Sequence, residues 1–117
     1  MDVEDMIKEA LNILTDGGDF YISQIIYDKK NFGNIYVVLC SNQVDIRFIK
    51  DRDVYWCEVG QTGEWYFIED IFAMIGVAID ESNDFIDFMA KIAATIKKYA
   101  PKIFKTFAAQ QETTSSS

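Results

Sequence analysis

Residues 34–60, NIYVVLCSNQVDIRFIKDRDVYWCEVG, decide the fold that this chain is predicted to adopt. They alternate apolar and polar side chains in three segments, separated by short polar stretches that are typical of tight hairpin turns. Two-residue turns centred on Ser41-Asn42 and Asp51-Arg52 align the apolar side chains of all three segments on one face. The aligned pairs are Ile35 with Phe48, Val37 with Ile46, Leu39 with Val44, Phe48 with Tyr55, Ile46 with Cys57 and Val44 with Val59. The sequence therefore predicts an antiparallel meander with one buried face.

The opposite face of this meander carries the candidate binding residues. In the predicted register Asp45 faces Glu58, and Arg47 lies between the rings of Tyr36 and Trp56, where a guanidinium can stack. Trp, Tyr and Arg are enriched at binding hot spots, although half-exposed aromatic residues are also common on ordinary sheet surfaces. The predicted partner-binding residues are Tyr36, Asp45, Arg47, Asp51, Asp53, Trp56 and Glu58. Two further residues, Trp65 and Tyr66, are second candidates for binding, with packing at the start of a helix as their alternative role.

A helical pattern and a further strand precede the meander. Asp2 is the predicted N-cap of a first helix, whose apolar stripe ends at Gly17-Gly18. Residues 20–27, FYISQIIY, are predicted to form a strand, and residues 28–33 connect it to the meander as a longer hairpin loop.

Two helical patterns follow the meander. A short helix is predicted from about residue 68 to residue 75, ended by Gly76. A longer helix is expected to begin near Asn83, with Asp80 or Ser82 as its N-cap. Pro101 is expected to break or kink this helix, because proline cannot donate the backbone hydrogen bond that a helix interior requires.

The predicted fold class is α+β. It comprises an N-terminal helix, an antiparallel meander of three to four strands, then a short helix and a long C-terminal helix packed on one sheet face. Residues 1–109 are expected to form a single domain, and residues 110–117 a flexible polar tail. The longest apolar run, residues 71–79, is too short to cross a bilayer, and the acidic, helical N-terminus does not resemble a signal peptide. We therefore expect a cytoplasmic protein.

The residues offer little for catalysis or metal binding. The chain contains no histidine, which removes the commonest general base and the commonest metal ligand. Its two cysteines, Cys40 and Cys57, fall on opposite faces of the predicted sheet and on strands that are not neighbours, so we expect buried thiols and no disulfide. The clustered carboxylates, such as Asp51 and Asp53, occur where turns and helix starts are predicted and suit capping roles. We expect no enzymatic activity, no catalytic residue, no metal and no cofactor.

Charge is distributed unevenly along the chain. The net charge is −8, but the C-terminal helical region is basic. Its lysines are Lys91, Lys97, Lys98, Lys102 and Lys105. They are expected to lie on a solvated helix face beside an acidic body, because nucleic-acid binding requires a basic domain and membrane-surface binding a stronger cationic face. Neither nucleic acid nor a membrane is therefore an expected partner.

In size, acidic charge and α-β-β-β-β-α-α order over residues 1–109, the chain resembles the immunity proteins that bacteria make against toxins of competing or sibling cells. The resemblance implies stoichiometric inhibition of a basic protein by an acidic surface, with complementary charge accelerating the encounter. A different possibility is a structural module that associates with itself through spare apolar surface as a homodimer. The sequence leaves both open.

Overall fold

The computed structural model of the protein describes residues 2–31, 33–61 and 63–115, with side chains described as far as Ala109. Its elements, in chain order, are α1 (Val3–Thr15), β1 (Tyr21–Asp28), β2 (Asn34–Cys40), β3 (Asp45–Asp51), β4 (Val54–Gln61), β5 (Glu64–Phe67), α2 (Ile68–Met74) and α3 (Phe85–Ser115). This order confirms the predicted α+β class. The meander, however, gains a fifth strand, β5, where the sequence predicted three to four.

The sheet is an antiparallel meander in which each strand pairs with the next, in the order β1-β2-β3-β4-β5. Burial alternates along its central strands as a sheet with one covered face requires. The apolar set predicted to face inward is buried in the structure, with Val37 and Phe48 at 0% exposure. Its other buried members are Ile35, Leu39, Val44, Ile46, Cys57 and Val59. The prediction of which side chains face the core is confirmed.

The strand register differs from the predicted one by two residues in both hairpins. Cys40 pairs with Asp45 and Asp51 pairs with Val54, so each turn is centred one residue later than expected. In the first turn, the Ser41 hydroxyl accepts from the Val44 amide at 3.0 Å and donates to the Val44 carbonyl at 2.6 Å. A shift of two residues retains the face of every side chain but changes its cross-strand neighbours.

The position of the second turn, between β3 and β4, depends on the backbone conformation of Arg52. This residue has a φ of 60°, in the left-handed region that a first central turn residue can require. Its amide donates to the Asn34 side-chain oxygen at 2.8 Å, and the Lys50 ammonium donates to its carbonyl at 2.9 Å. These two bonds stabilise a turn centred on Arg52 and Asp53.

All three helices pack on the inward face of the sheet. The core joins that face to apolar side chains of α1, α2 and α3, and it contains no buried polar or charged residue within the described ranges. Aromatic contacts link α3 to the sheet: the Phe88 ring lies 6.3 Å from the Phe48 ring and 4.9 Å from the Tyr55 ring, centroid to centroid. Tyr66 meets Phe107 edge-on at 5.6 Å. The opposite face of the sheet makes no contribution to this core.

Aspartate side chains cap the N-termini of α1 and α3, and the cap of α3 differs from the predicted one. The Asp2 carboxylate accepts from the Asp5 amide at 2.8 Å, which confirms the predicted cap of α1. At the start of α3, however, the Asp84 carboxylate accepts from the Asp87 amide at 2.8 Å, so the predicted caps Asp80 and Ser82 are wrong. Ser82 instead lies 3.1 Å from the Tyr55 hydroxyl.

Pro101 lies inside α3, and the helix continues past it with a kink. The distortion falls at Tyr99, whose φ of −112° and ψ of 17° are not helical. The helix then runs to Ser115, and its last apolar turns bury Ile103 and Phe107. The side chains of residues 110–117 lie outside the described part of the chain, so the flexible polar tail stays a prediction.

Candidate functional site

The candidate site is the sheet face that points away from the helices, which we call the open face. Strand register assigns the following side chains to it: Tyr21, Gln24, Ile26, Tyr36, Val38, Cys40, Asp45, Arg47, Ile49, Val54, Trp56, Glu58, Trp65 and Phe67. None of them belongs to the buried core or packs against it among the residues that the structure describes. Both tryptophans of the chain, Trp56 and Trp65, lie on this face.

The open face has half-buried aromatic residues at its centre and exposed apolar residues towards its edges. Trp56, Tyr36 and Trp65 are half-buried, because their neighbours on the sheet shield them from solvent. Four of the seven large apolar side chains that are most exposed in the described chain also belong to this face. They are Tyr21 at 63%, Val54 at 62%, Phe67 at 50% and Ile26 at 47%. Tyr21 and Ile26 lie on β1, and Val54 and Phe67 lie on β4 and β5, so the exposed apolar side chains flank the aromatic centre on both sides.

Arg47 organises the centre of the open face. It faces Val38 on one side and Glu58 on the other, and its Nε donates to the Glu58 carboxylate in a part-buried ion pair. Its guanidinium also lies over the ring of Trp65, with Cζ 3.9 Å from the ring centroid, which is within cation–π range. The prediction that Arg47 lies between Tyr36 and Trp56 is therefore wrong, and so is the predicted pairing of Asp45 with Glu58. Both errors follow from the displaced register.

Gly60 lets the Trp65 indole lie against β4. The two residues are cross-strand partners, and a Cβ built on Gly60 would lie 2.8 Å from Trp65 ring atoms and 2.3 Å from the Glu64 carbonyl oxygen. An aromatic residue opposite a strand glycine covers the backbone that the missing side chain would leave exposed. Gly60 is consequently buried although it lies on the uncovered face. This arrangement fixes the ring on which Arg47 stacks.

We expect Gly60→Ala to destabilise the fold by about 1–3 kcal/mol, because the new methyl group must displace a backbone carbonyl and an indole ring. Urea unfolding followed by far-UV circular dichroism measures the change. Gly17→Ala is the matched control: its Cβ would meet the end of the flexible Lys97 side chain at 3.1 Å and the Asp19 carboxylate at an ordinary contact distance of 3.9 Å. Equal unfolding free energies for the two variants would contradict the close approach of Trp65 to β4.

The other predicted aromatic residues lie in the next row of the face. Tyr36 and Trp56 flank Ile49, which pairs with both. Beyond Trp56, a shallow depression is lined by the β3–β4 turn, and it joins Asp51 and Asp53 to the indole. The carboxylates of the turn therefore border the aromatic part of the open face.

The structure brings most of the predicted residues together and adds others. Tyr36, Arg47, Trp56 and Glu58 share the open face. Asp45 lies on the same face opposite Gly60, whereas Asp51 and Asp53 lie at its turn end. Of the second candidates, Trp65 joins the face and Tyr66 packs inward against Phe107. Sequence reasoning missed Ile49 and Phe67, although the period-2 pattern placed Ile49 beside Arg47 in the same strand.

The cysteines lie on opposite faces of the sheet, as predicted, but the expectation that both are buried is wrong for Cys40. Cys57 is buried in the core, and burial, followed by the nearby carboxylates of Glu69 and Glu58, raises the pKa of its thiol well above the usual value. Cys40 is half-buried on the open face, with Sγ 3.5 Å from the Ser23 hydroxyl oxygen. Both are free thiols.

The described residues form neither a metal-ligand cluster nor a membrane-spanning helix. No cluster of three or more cysteine, aspartate and glutamate side chains is placed to hold a metal ion within those ranges. Within the same ranges, no helix combines the length and the apolar character needed to cross a bilayer.

Comparison of the chain with protein-family models, curated proteins and solved structures found no significant match.

Proposed function

We propose that the chain is a non-enzymatic protein-binding domain that docks a basic protein on its open face. The observation that supports this most strongly is the position of the two tryptophans. Trp56 and Trp65 lie on a sheet face that none of the described helices covers, together with Tyr36 and the Arg47–Glu58 pair. Tryptophan, tyrosine and arginine contribute most to protein–protein affinity when they lie near the centre of an interface.

Charge favours a basic partner. Arg47 is paired with Glu58, and at the β3–β4 turn Lys50 and Arg52 balance Asp51 and Asp53, so the negative charge of the face itself comes from Asp45. Asp45 lies on the face, and Asp51 and Asp53 lie at its turn end. The chain as a whole carries a net charge of −8. A basic partner would be attracted before contact, which raises the association rate, and the aromatic residues would then slow dissociation.

Inhibition of such a partner is the activity that we propose for the complex, as in the bacterial immunity proteins that the chain resembles. A small acidic domain that covers the working surface of a basic enzyme acts stoichiometrically and needs no catalytic residue. The absence of histidine and the use of Asp2 and Asp84 as helix caps accord with a role without catalysis.

A homodimer formed through the open face is the second candidate function. The four exposed apolar side chains of that face favour it, because self-association would remove them from water. The net charge of −8 on each copy opposes it, since two copies would bring like charges together.

Acrylamide quenching of tryptophan fluorescence, combined with sedimentation, distinguishes the two candidates. For a partner-binding domain we expect both indoles to stay accessible to acrylamide at every concentration of the chain alone. Addition of the basic partner captured from the native cells should protect them in a one-to-one complex. Protection that develops with the concentration of the chain alone would favour the open-face homodimer and overturn the proposal.

A further inference from the structure

Strand β1 is the longer of the two sheet edges. The sheet begins with β1 and ends with β5, and only β1 extends over eight residues, since β5 has four and leads directly into α2. Among the described residues, no segment pairs with the outer side of β1. Its backbone amides and carbonyls on that side can therefore accept another strand.

Apart from the bulge at Ser23, β1 lacks the features that usually protect an edge. Natural edge strands carry lysine, proline or inward charges that discourage pairing. Residues Tyr21–Asp28, YISQIIYD, contain neither lysine nor proline, and their only charged residue is Asp28 at the end. Tyr27 is 38% exposed and Ile22 and Ile25 are only half-buried, so an added strand would cover apolar surface next to the core.

The charges at the two ends of β1 are opposite in sign. Asp19 lies before the strand, and Lys29 and Lys30 follow it; all three are exposed. An antiparallel copy of the strand would bring each end beside the end of opposite charge, whereas a parallel copy would bring like charges together. Asp19 also has an in-chain neighbour, the Lys97 ammonium at 3.9 Å, but its side chain remains 73% exposed and available.

We propose that two copies of this chain pair through β1 in antiparallel fashion, centred on Ile25, to form a continuous ten-stranded sheet. With this centre, each residue of β1 that faces the core lies opposite a residue of the second copy that also faces the core. With the bulge at Ser23, this centre places Tyr21 opposite Asp28 of the second copy and Asp19 beside Lys30 of the second copy. The contact is isologous, with its two-fold axis normal to the sheet.

The net negative charge of each copy opposes association, and part of it lies beside β1: Asp2 and Glu4 line a depression with Ile25 and Tyr27, and Glu9 and Asp16 line another with Tyr21 and Ile22. At about 0.1 M salt, repulsion between exposed charges more than roughly 10 Å apart is largely screened, so the opposite charges at the strand ends decide in favour of the antiparallel arrangement. The symmetry also places both open faces on the same side of the joined sheet. The pairing does not depend on the proposed function, but it would give the assembly two equivalent docking faces.

Sedimentation equilibrium with reversed charges tests the pairing. We expect the wild-type chain to dimerise, and Asp19→Lys and Lys30→Asp each to weaken the dimer roughly tenfold, because each reversal acts at both symmetric ends. The double variant Asp19→Lys/Lys30→Asp should recover most of the affinity. Lys102→Asp is the control, because it reverses an exposed charge on α3 and changes the net charge by the same amount as Lys30→Asp. It should leave the affinity of the dimer unchanged.

Hydrogen exchange provides a second measurement that needs no variant. Amides of residues 21–28 should exchange more slowly as the concentration of the wild-type chain rises. A chain that stays monomeric, a dimer insensitive to both reversals, or a double variant that is weaker than either single one would overturn the pairing. A dimer weakened only by Trp56→Ala would also overturn it and assign the contact to the open face, whereas failure of partner binding alone would leave the pairing intact.

Discussion

Phe48→Ala is expected to lower the free energy of unfolding by about 3–5 kcal/mol, the largest single effect that the fold predicts. Phe48 is fully buried at the centre of β3, between Val37 of β2 and Cys57 of β4, and its ring meets Phe88 of α3 edge-on. Truncation removes one of the aromatic contacts between the sheet and α3 and leaves a cavity in the core. A loss of this size is a large fraction of the stability of a small domain.

Phe67→Ala is the matched control, because it truncates the same side chain on the other face of the sheet. Phe67 is 50% exposed, so its replacement should cost less than about 1 kcal/mol. Urea unfolding monitored by far-UV circular dichroism gives both values. Similar midpoints for the two variants would mean that the faces of the sheet are assigned incorrectly.

Trp56→Ala is expected to weaken partner binding by about 2 kcal/mol or more, roughly thirtyfold in the dissociation constant. Trp56 pairs with Ile49 in the row that also holds Tyr36, and it borders the depression formed by the β3–β4 turn. Its indole is half-buried by the sheet, so little conformational entropy remains to be lost when a partner covers it.

Isothermal titration calorimetry of the captured partner against folded variants measures this loss. Ile13→Ala is the control, because Ile13 is 41% exposed on α1 and lies outside the open face. Its affinity should equal that of the wild type. A loss that is equal for the two variants would point to a docking surface other than the open face.

Alternation within residues 34–60 was sufficient to predict which side chains face the core and which face outward. It could not fix the register, because a displacement of two residues keeps every side chain on its face. The centres of the turns depend on the hydroxyl bonds of Ser41 and on the positive φ of Arg52, which sequence spacing does not reveal. The partners of Arg47 therefore could not be predicted, although its face could.

The strand β5 was not predicted, because its four residues lead directly into α2 and resemble the beginning of that helix. This omission explains why Trp65 appeared only as a second candidate. The signal that could have found it is Gly60, a glycine inside a strand pattern. It is separated by a four-residue, glycine-containing segment from the aromatic pair Trp65-Tyr66. Such a glycine favours close approach of an aromatic ring from the neighbouring strand.

The central claim is that the open face is the surface on which a partner docks, and fluorine NMR of the chain labelled with 5-fluorotryptophan tests it most directly. The label reports only on Trp56 and Trp65, which are the two tryptophans of the sequence and both lie on that face. We predict that titration with unlabelled partner shifts or broadens both resonances until the two proteins are equimolar. A partner that binds while both resonances remain unchanged would contradict the claim.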